Sequence, residues 1–219
     1  MIPYRQRYRK DLSDLKSLTK DLANQVGEAI EKSVIALSES NVDLAREIIK
    51  NDQDIDDLSI RIENLCMELL VLQQPMARDL RRIIGILKIG IDLERIGDLA
   101  VDIARVTAQS HNKIEITKLE FIPRMAEICG KMLRESMEAL ENDDADMARQ
   151  ITKWDYEIDG LYVKARDKLL KIIIERPEVI KEGTSLLMVN RHLERTGDHI
   201  CNVCETIVYM VEAKREHLN

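Results

Sequence analysis

From about Tyr8 the apolar residues recur at three- and four-residue steps: Leu12, Leu15, Leu18, Leu22 and Val26, then Ile30, Val34 and Leu37. That period lays one apolar stripe along an α-helix. Ser38-Glu39-Ser40-Asn41 interrupts it, and Ser40 or Asn41 can cap a second helix with Asp43 near its positive end. The second helix carries Leu44, Ile48, Ile55, Ile62, Cys66 and Leu70 as far as Gln74. Pro75 ends it, since proline lacks the amide hydrogen and clashes with the preceding turn. A third helix runs from about Met76 to Thr107. Ile83, Ile84, Ile86, Leu87, Ile89 and Ile91 make it apolar on nearly every side, which predicts the most buried helix of the three. Ser110-His111-Asn112 reads as a linker.

The pattern then starts again. Leu93-Glu94-Arg95-Ile96-Gly97-Asp98 returns as Leu193-Glu194-Arg195-Thr196-Gly197-Asp198, with five of six residues identical. A shift of 103 lays Gly27–Leu37 on Gly130–Leu140, and Asp52, Ile55 and Asp56 on Asp155, Ile158 and Asp159. Beyond the prolines the shift is 100, so the lost residues fall near the turns at Pro75 and Pro177, where length changes are tolerated. The chain reads as all-α: six helices in two repeated three-helix bundles, 1–109 and 113–219, related by a pseudo-two-fold. Short connections favour antiparallel neighbours.

Composition agrees. Aromatics are 3%, with 8 glycines and 4 prolines, which suits long helices better than strands. A net charge of −7 argues against a general nucleic-acid binder. Tyr4-Arg5-Gln6-Arg7-Tyr8-Arg9-Lys10 is a local basic stretch, read as a solvated first turn or as a membrane or partner contact. No apolar run approaches the roughly 20 residues of a membrane span, and the start does not resemble a signal peptide. Four cysteines in 219 residues do not make a disulfide framework, so a reducing cytoplasm is the simplest setting.

The acidic pairs carry the chemistry. Asp52 and Asp56 share one face of the second helix, and Glu94, Asp98 and Asp102 share one face of the third. In a hairpin, residues equidistant from the turn lie at one height. The midpoints of the two pairs, 54 and 96, are equidistant from Pro75, and those of Asp155/Asp159 and Glu194/Asp198 centre beside Pro177. Four carboxylates therefore stand at one level, twice. A solvated acidic face or a salt-bridged network through Arg95 and Arg195 is one reading; bound metal is the other. Like charges at i, i+4 cost about 0.2–0.5 kcal/mol per pair. The pairs also continue the stripe Ile84, Leu87, Ile91, and Gly97 and Gly197 open mid-helix space at about 1 kcal/mol each. These features favour metal. Oxygen-only donors select Mg²⁺, Ca²⁺, Mn²⁺, iron or Zn²⁺. No histidine follows a Glu by three residues, against a ferritin-like di-iron oxidase.

Other candidates are weaker. Cys201-x-x-Cys204 matches Val101 and Ala104 in the repeat and reads as core. His199 and His192, opposite Leu99 and Asp92, read as surface or packing residues, and Trp154 as packing between repeats.

The doubled Leu-Glu-Arg-x-Gly-Asp, the Gln73-Gln74-Pro75 turn with Asp79-Leu80-Arg81 after it, and the two three-helix repeats resemble the PhoU family of phosphate-uptake regulators over essentially the whole chain. The resemblance implies a cytoplasmic, non-enzymatic protein that restrains a phosphate ABC transporter at its ATPase, often with a sensor histidine kinase. It implies multinuclear clusters, iron or zinc before Mg, Mn or Ca. The ligands carried over by position are Asp52, Asp56, Glu94, Asp98 and Asp102, then Asp155, Asp159, Glu194 and Asp198. Asn202 stands where the first copy has Asp102, which predicts a second site of fewer or weaker metals. A homodimer is compatible with this reading. The rival functions are a carboxylate-cluster hydrolase and a metal-free helical adaptor.

Overall fold

The computed structural model describes residues 4–110 and 120–218, apart from the side chains of 4–7, 9 and 73. His111 and Asn112 of the predicted linker, and most of the basic N-terminal side chains, lie outside the described residues. The first unit is α1 (Tyr4–Glu39), α2 (Val42–Gln73) and α3 (Arg78–Gln109). The second is α4 (Phe121–Asn142), α5 (Ala145–Ile151), α6 (Asp155–Glu175) and α7 (Ile180–Glu212). A 3-10 turn at Thr152–Trp154 joins α5 to α6 as one rod, the counterpart of α2. The chain is thus all-α with six rods in two repeats, as the periodicity predicts.

The turns keep the symmetry. Asn41 caps α2 by accepting the Leu44 amide at 3.0 Å, and Asp144 caps α5 by accepting the Met147 amide at 2.8 Å. Ser40 and Asp143, just before the caps, both take the left-handed conformation. Asp143 also receives Arg78 and Arg82 from the start of α3, which ties the second repeat to the first.

One apolar core runs through both repeats. Leu22, Val26 and Ile30 of α1, Ile62 of α2, Ile86, Leu93 and Ile96 of α3 join Met132 of α4, Ile158 of α6 and Ile200 of α7. α3 packs on α7 and α1 on α4. Burying a side chain of this size is worth about 1.5–3 kcal/mol, so the shared core holds the repeats together more firmly than the surface ion pairs do. α3 is the most buried of the first three helices, as its composition predicts, but not on every side. Ile83, Ile86 and Ile89 face the core, while Ile84 and Ile91 are exposed, Ile91 by 56%. Trp154 packs against the shared core, and Lys131 of α4 lies 3.7 Å above its ring. The four cysteines are all buried and unpaired, and burial pushes their thiols well above the usual range.

Candidate metal centre

The α2–α3 hairpin brings Asp52 and Asp56 opposite Glu94 and Asp98. Burial first, then the charges of Asp56, Asp98 and Asp102, raise the pKa of Asp52; Arg105 opposes them. Burial, then Asp98, Asp56 and Asp52, raise Glu94, against the pull of Arg95. The carboxylates of the two helices therefore lie close enough to raise one another's pKa, a proximity that sequence spacing left unresolved. They are also partly neutralised. Arg95 donates to Asp98 at 2.9 Å and lies 3.5 Å from Glu94, and Arg105 donates to Asp102 at 2.7 Å.

The α6–α7 hairpin repeats the arrangement with a different balance. Asp155 is 2% exposed, and the Cys201 thiol is the hydrogen-bond donor beside it. Burial, together with the charges of Asp159, Asp198 and Glu194, pushes its pKa up to about 7; the nearby Cys201 thiol offsets part of this. Asp159 and Glu194 are raised by burial and then by Asp198. Arg191, rather than Arg195, meets Glu194 Oε1, and Glu194 Oε2 is buried without a partner. Gly197 makes the close approach possible, because a β-carbon there would collide with Asp155 Oδ1.

Asn202 belongs elsewhere. Its amide reaches Asp92 Oδ1 on α3 at 3.4 Å, and His199 Nδ1 lies 3.0 Å from the same oxygen. On the other side of the pseudo-two-fold, Asp102 faces His192: burial lowers the histidine's pKa, Asp102 opposes this and Arg195 adds to it. His199 and His192 thus lie at the α3–α7 interface as packing residues. Asp102 lies between this interface and the first cluster.

Nine candidate residues therefore fall into a group of five and a group of four. Among the described residues, no three His, Cys, Asp or Glu side chains are already gathered around one point that would hold an ion. Facing carboxylates repel, and gathering them takes a counter-charge. The second group suits a cation: it sets the enclosed Asp155 and a buried, unpartnered Glu194 oxygen beside like charges, a cost that a cation would relieve. Arginines meet both groups, Arg95 and Arg105 in the first and Arg191 in the second.

An apolar strip adjoins each acidic face, and spacing alone did not reveal it. On α2 the acidic face continues as Ile60, Met67 and Val71, and on α3 as Ile91, Ile84 and Leu80, all exposed. These pairs are roughly equidistant from Pro75, so they form a solvent-facing apolar strip from the acidic cluster to the hairpin tip, where Met76 is 82% exposed. Val163, Leu170, Ile174, Ile180 and Met188 repeat it on α6 and α7. The alternation at Ile83/Ile84 was the available signal: one residue of such a pair must turn outward.

The PhoU domain model matches residues 19–107 and 122–207. The chain belongs to the PhoU family. A PhoU homolog of Clostridium acetobutylicum, named a phosphate-specific transport system accessory protein, is 34% identical over 98% of this chain and 99% of its own. One of Aquifex aeolicus, with the same name, is 37% identical over 95% and 96%. The PhoU crystal structure from Streptococcus pneumoniae, a phosphate transport system regulatory protein, superposes with a TM-score of 0.88 at 30% identity, covering 95% of this chain and 99% of that one. The repeat within the PhoU fold accounts for the doubled acidic faces. Among the described residues no helix is long and apolar enough to cross a membrane.

Proposed function

We propose that this PhoU-family chain is a cytoplasmic, metal-binding regulator that restrains phosphate uptake by contact with the transporter's ATPase. The relatives are named accessory and regulatory proteins of phosphate transport, not enzymes, which supports the regulatory half. The metal half rests on one observation above all: Asp155 is enclosed beside three further carboxylates, with the neutral Cys201 thiol as its hydrogen-bond donor. Asp155, Asp159, Glu194 and Asp198 would hold metal in one site, and Asp52, Asp56, Glu94, Asp98 and Asp102 in the other. Oxygen donors fit iron, zinc or manganese, or Mg²⁺ and Ca²⁺. Bound metal would neutralise each acidic face next to its apolar strip. The helices keep that face rigid, so a partner meets it without a large ordering cost. A sensor histidine kinase is a second candidate partner.

The arginine bridges at Glu94, Asp98 and Asp102 favour a second reading, a metal-free helical adaptor. Elemental analysis of protein purified without chelator separates the two. Stoichiometric metal that is lost when Asp98 and Asp198 are changed to Ala supports the first; absence of metal leaves the adaptor. Pull-down of the transporter ATPase, with and without chelator, tests the contact.

A further inference from the structure

Three exposed apolar residues of α2 return on α6 at the repeat shift of 103: Ile60 as Val163, Met67 as Leu170 and Val71 as Ile174. Each of the six is at least 42% exposed. Steps of seven and four residues set them in one narrow seam along each helix. The α3 side of the strip is not duplicated in this way, since Ile84 becomes Thr184 and Ile91 becomes Arg191. α2 packs on α1 and α3, and α6 on α4 and α7, so each seam faces away from the shared core and the two seams of one chain do not meet.

The charges beside the seams are reversed between the copies. Glu63 and Glu68 flank the seam of α2, and the same positions on α6 are Arg166 and Lys171. Between Ile60 and Met67 stands Asn64, whose amide can donate; its counterpart is Asp167, an acceptor. Arg61 and Lys164 are alike in charge and oppose the match, but two reversals outweigh one likeness.

We propose that the α2 seam of one molecule packs on the α6 seam of a second copy of this chain. Apolar burial supplies the attraction, and the flanking charges choose the partner helix, as e and g positions do in coiled coils. Pairing α2 with α2 would set Glu63 and Glu68 against their own copies, and pairing α6 with α6 would do the same with Arg166 and Lys171. Only the unlike pairing brings opposite charges together. Exchanging partners costs little. Arg166 and Lys171 pair with Asp167 and Glu175 of their own helix, at 3.0 and 3.8 Å, in solvent, where ion pairs contribute little. The contact is heterologous, head to tail. Two chains joined in this way leave one α2 seam and one α6 seam open at the ends of the pair, where a different partner can still reach them.

The test is sedimentation equilibrium of the full chain in buffer with chelator, which keeps metal out of the measurement. The unsubstituted protein should associate as its concentration rises. Glu63→Lys with Glu68→Lys should weaken association at least about tenfold, and so should Arg166→Glu with Lys171→Glu. All four changes in one chain exchange the two sets of flanking charges and should restore it, a rescue that a merely structural role would not give. Thermal melts show that each variant is folded. Should the charge variants fail to fold, Met67→Gln with Leu170→Gln leaves every charge in place and should weaken association as well. A monomer at every concentration, association untouched by these changes, or no rescue in the chain with all four charge changes overturns the proposal.

Discussion

His199 Nδ1 stands 3.0 Å from Asp92 Oδ1 across the α3–α7 interface, and Asn202 reaches the same oxygen. Both side chains of the pair are less than one-fifth exposed. Asp92→Ala leaves a half-buried imidazole and an amide without their acceptor, which costs about 1–3 kcal/mol. Asp92→Asn keeps an acceptor and should cost less. Denaturant unfolding measures both, and a loss below about 0.5 kcal/mol for Asp92→Ala would show that the pair does not fasten the repeats. Metal content should be unchanged in either variant, because Asp92 lies outside both clusters.

The glycines of the doubled motif separate the copies a second way. Alanine gains about 1 kcal/mol over glycine in a helix. At Gly97 the new methyl meets the Ile55 Cγ2 methyl at 3.0 Å, which must yield by a few tenths of an ångström, and Val26 at an ordinary 3.7 Å. Gly97→Ala should therefore stay within about 1 kcal/mol of the parent. At Gly197 it collides with a short, enclosed carboxylate and meets Ile158 as well. Gly197→Ala should lose about 1–2 kcal/mol net and weaken metal binding at the second cluster. Thermal melts and metal titration of the two variants give the comparison, and equal behaviour would contradict it.

Much of this was legible in the sequence because helices have a fixed period and hairpins a fixed centre. The stripe Leu15–Leu22–Val26–Ile30, the cap at Asn41 and the levels of Asp52, Asp56, Glu94 and Asp98 all follow from spacing. Rotation about each helix axis does not. Ile84 and Ile91 continue an acidic face, and that face is the solvent side. Asn202 matches a ligand position by its place in the repeat, but its partner Asp92 comes from the other repeat, a contact that no spacing rule reaches. The 3-10 turn before Asp155 was equally hidden, since Thr152-Lys153-Trp154 has ordinary helix-compatible residues.

The exposed strip on the first hairpin predicts a separation of binding from stability. Ile91 and Val71 are 56% and 71% exposed, so replacing both with Gln should change stability by no more than about 0.5 kcal/mol each. If a partner covers them, each loses up to about 1.5–3 kcal/mol of apolar burial. Co-purification of the transporter ATPase should then fall at least about tenfold, with metal content untouched. Undiminished co-purification would place the contact on another surface.

The C-terminal segment depends on one arginine. Arg149 of α5 makes paired bonds to Glu212, at 3.0 and 2.6 Å, and to Glu216, at 2.9 and 3.0 Å. Beyond them the Leu218 amide donates to Glu205 at 2.8 Å. Hydrogen bonding to Arg149 lowers the pKa of both Glu212 and Glu216. A lowered acid stabilises the folded arrangement fully above its unfolded pKa, about 4.3 for glutamate, and loses that contribution as pH falls through the folded value. Docking of the segment should thus be constant at neutral pH and fail in acid, below about pH 4. Arg149→Ala should release it at pH 7 and leave nothing for acid to remove. Amide exchange at Leu218 reads this directly. Strong protection at pH 7 in Arg149→Ala would mean that the helix end, rather than the ion pairs, holds the segment down.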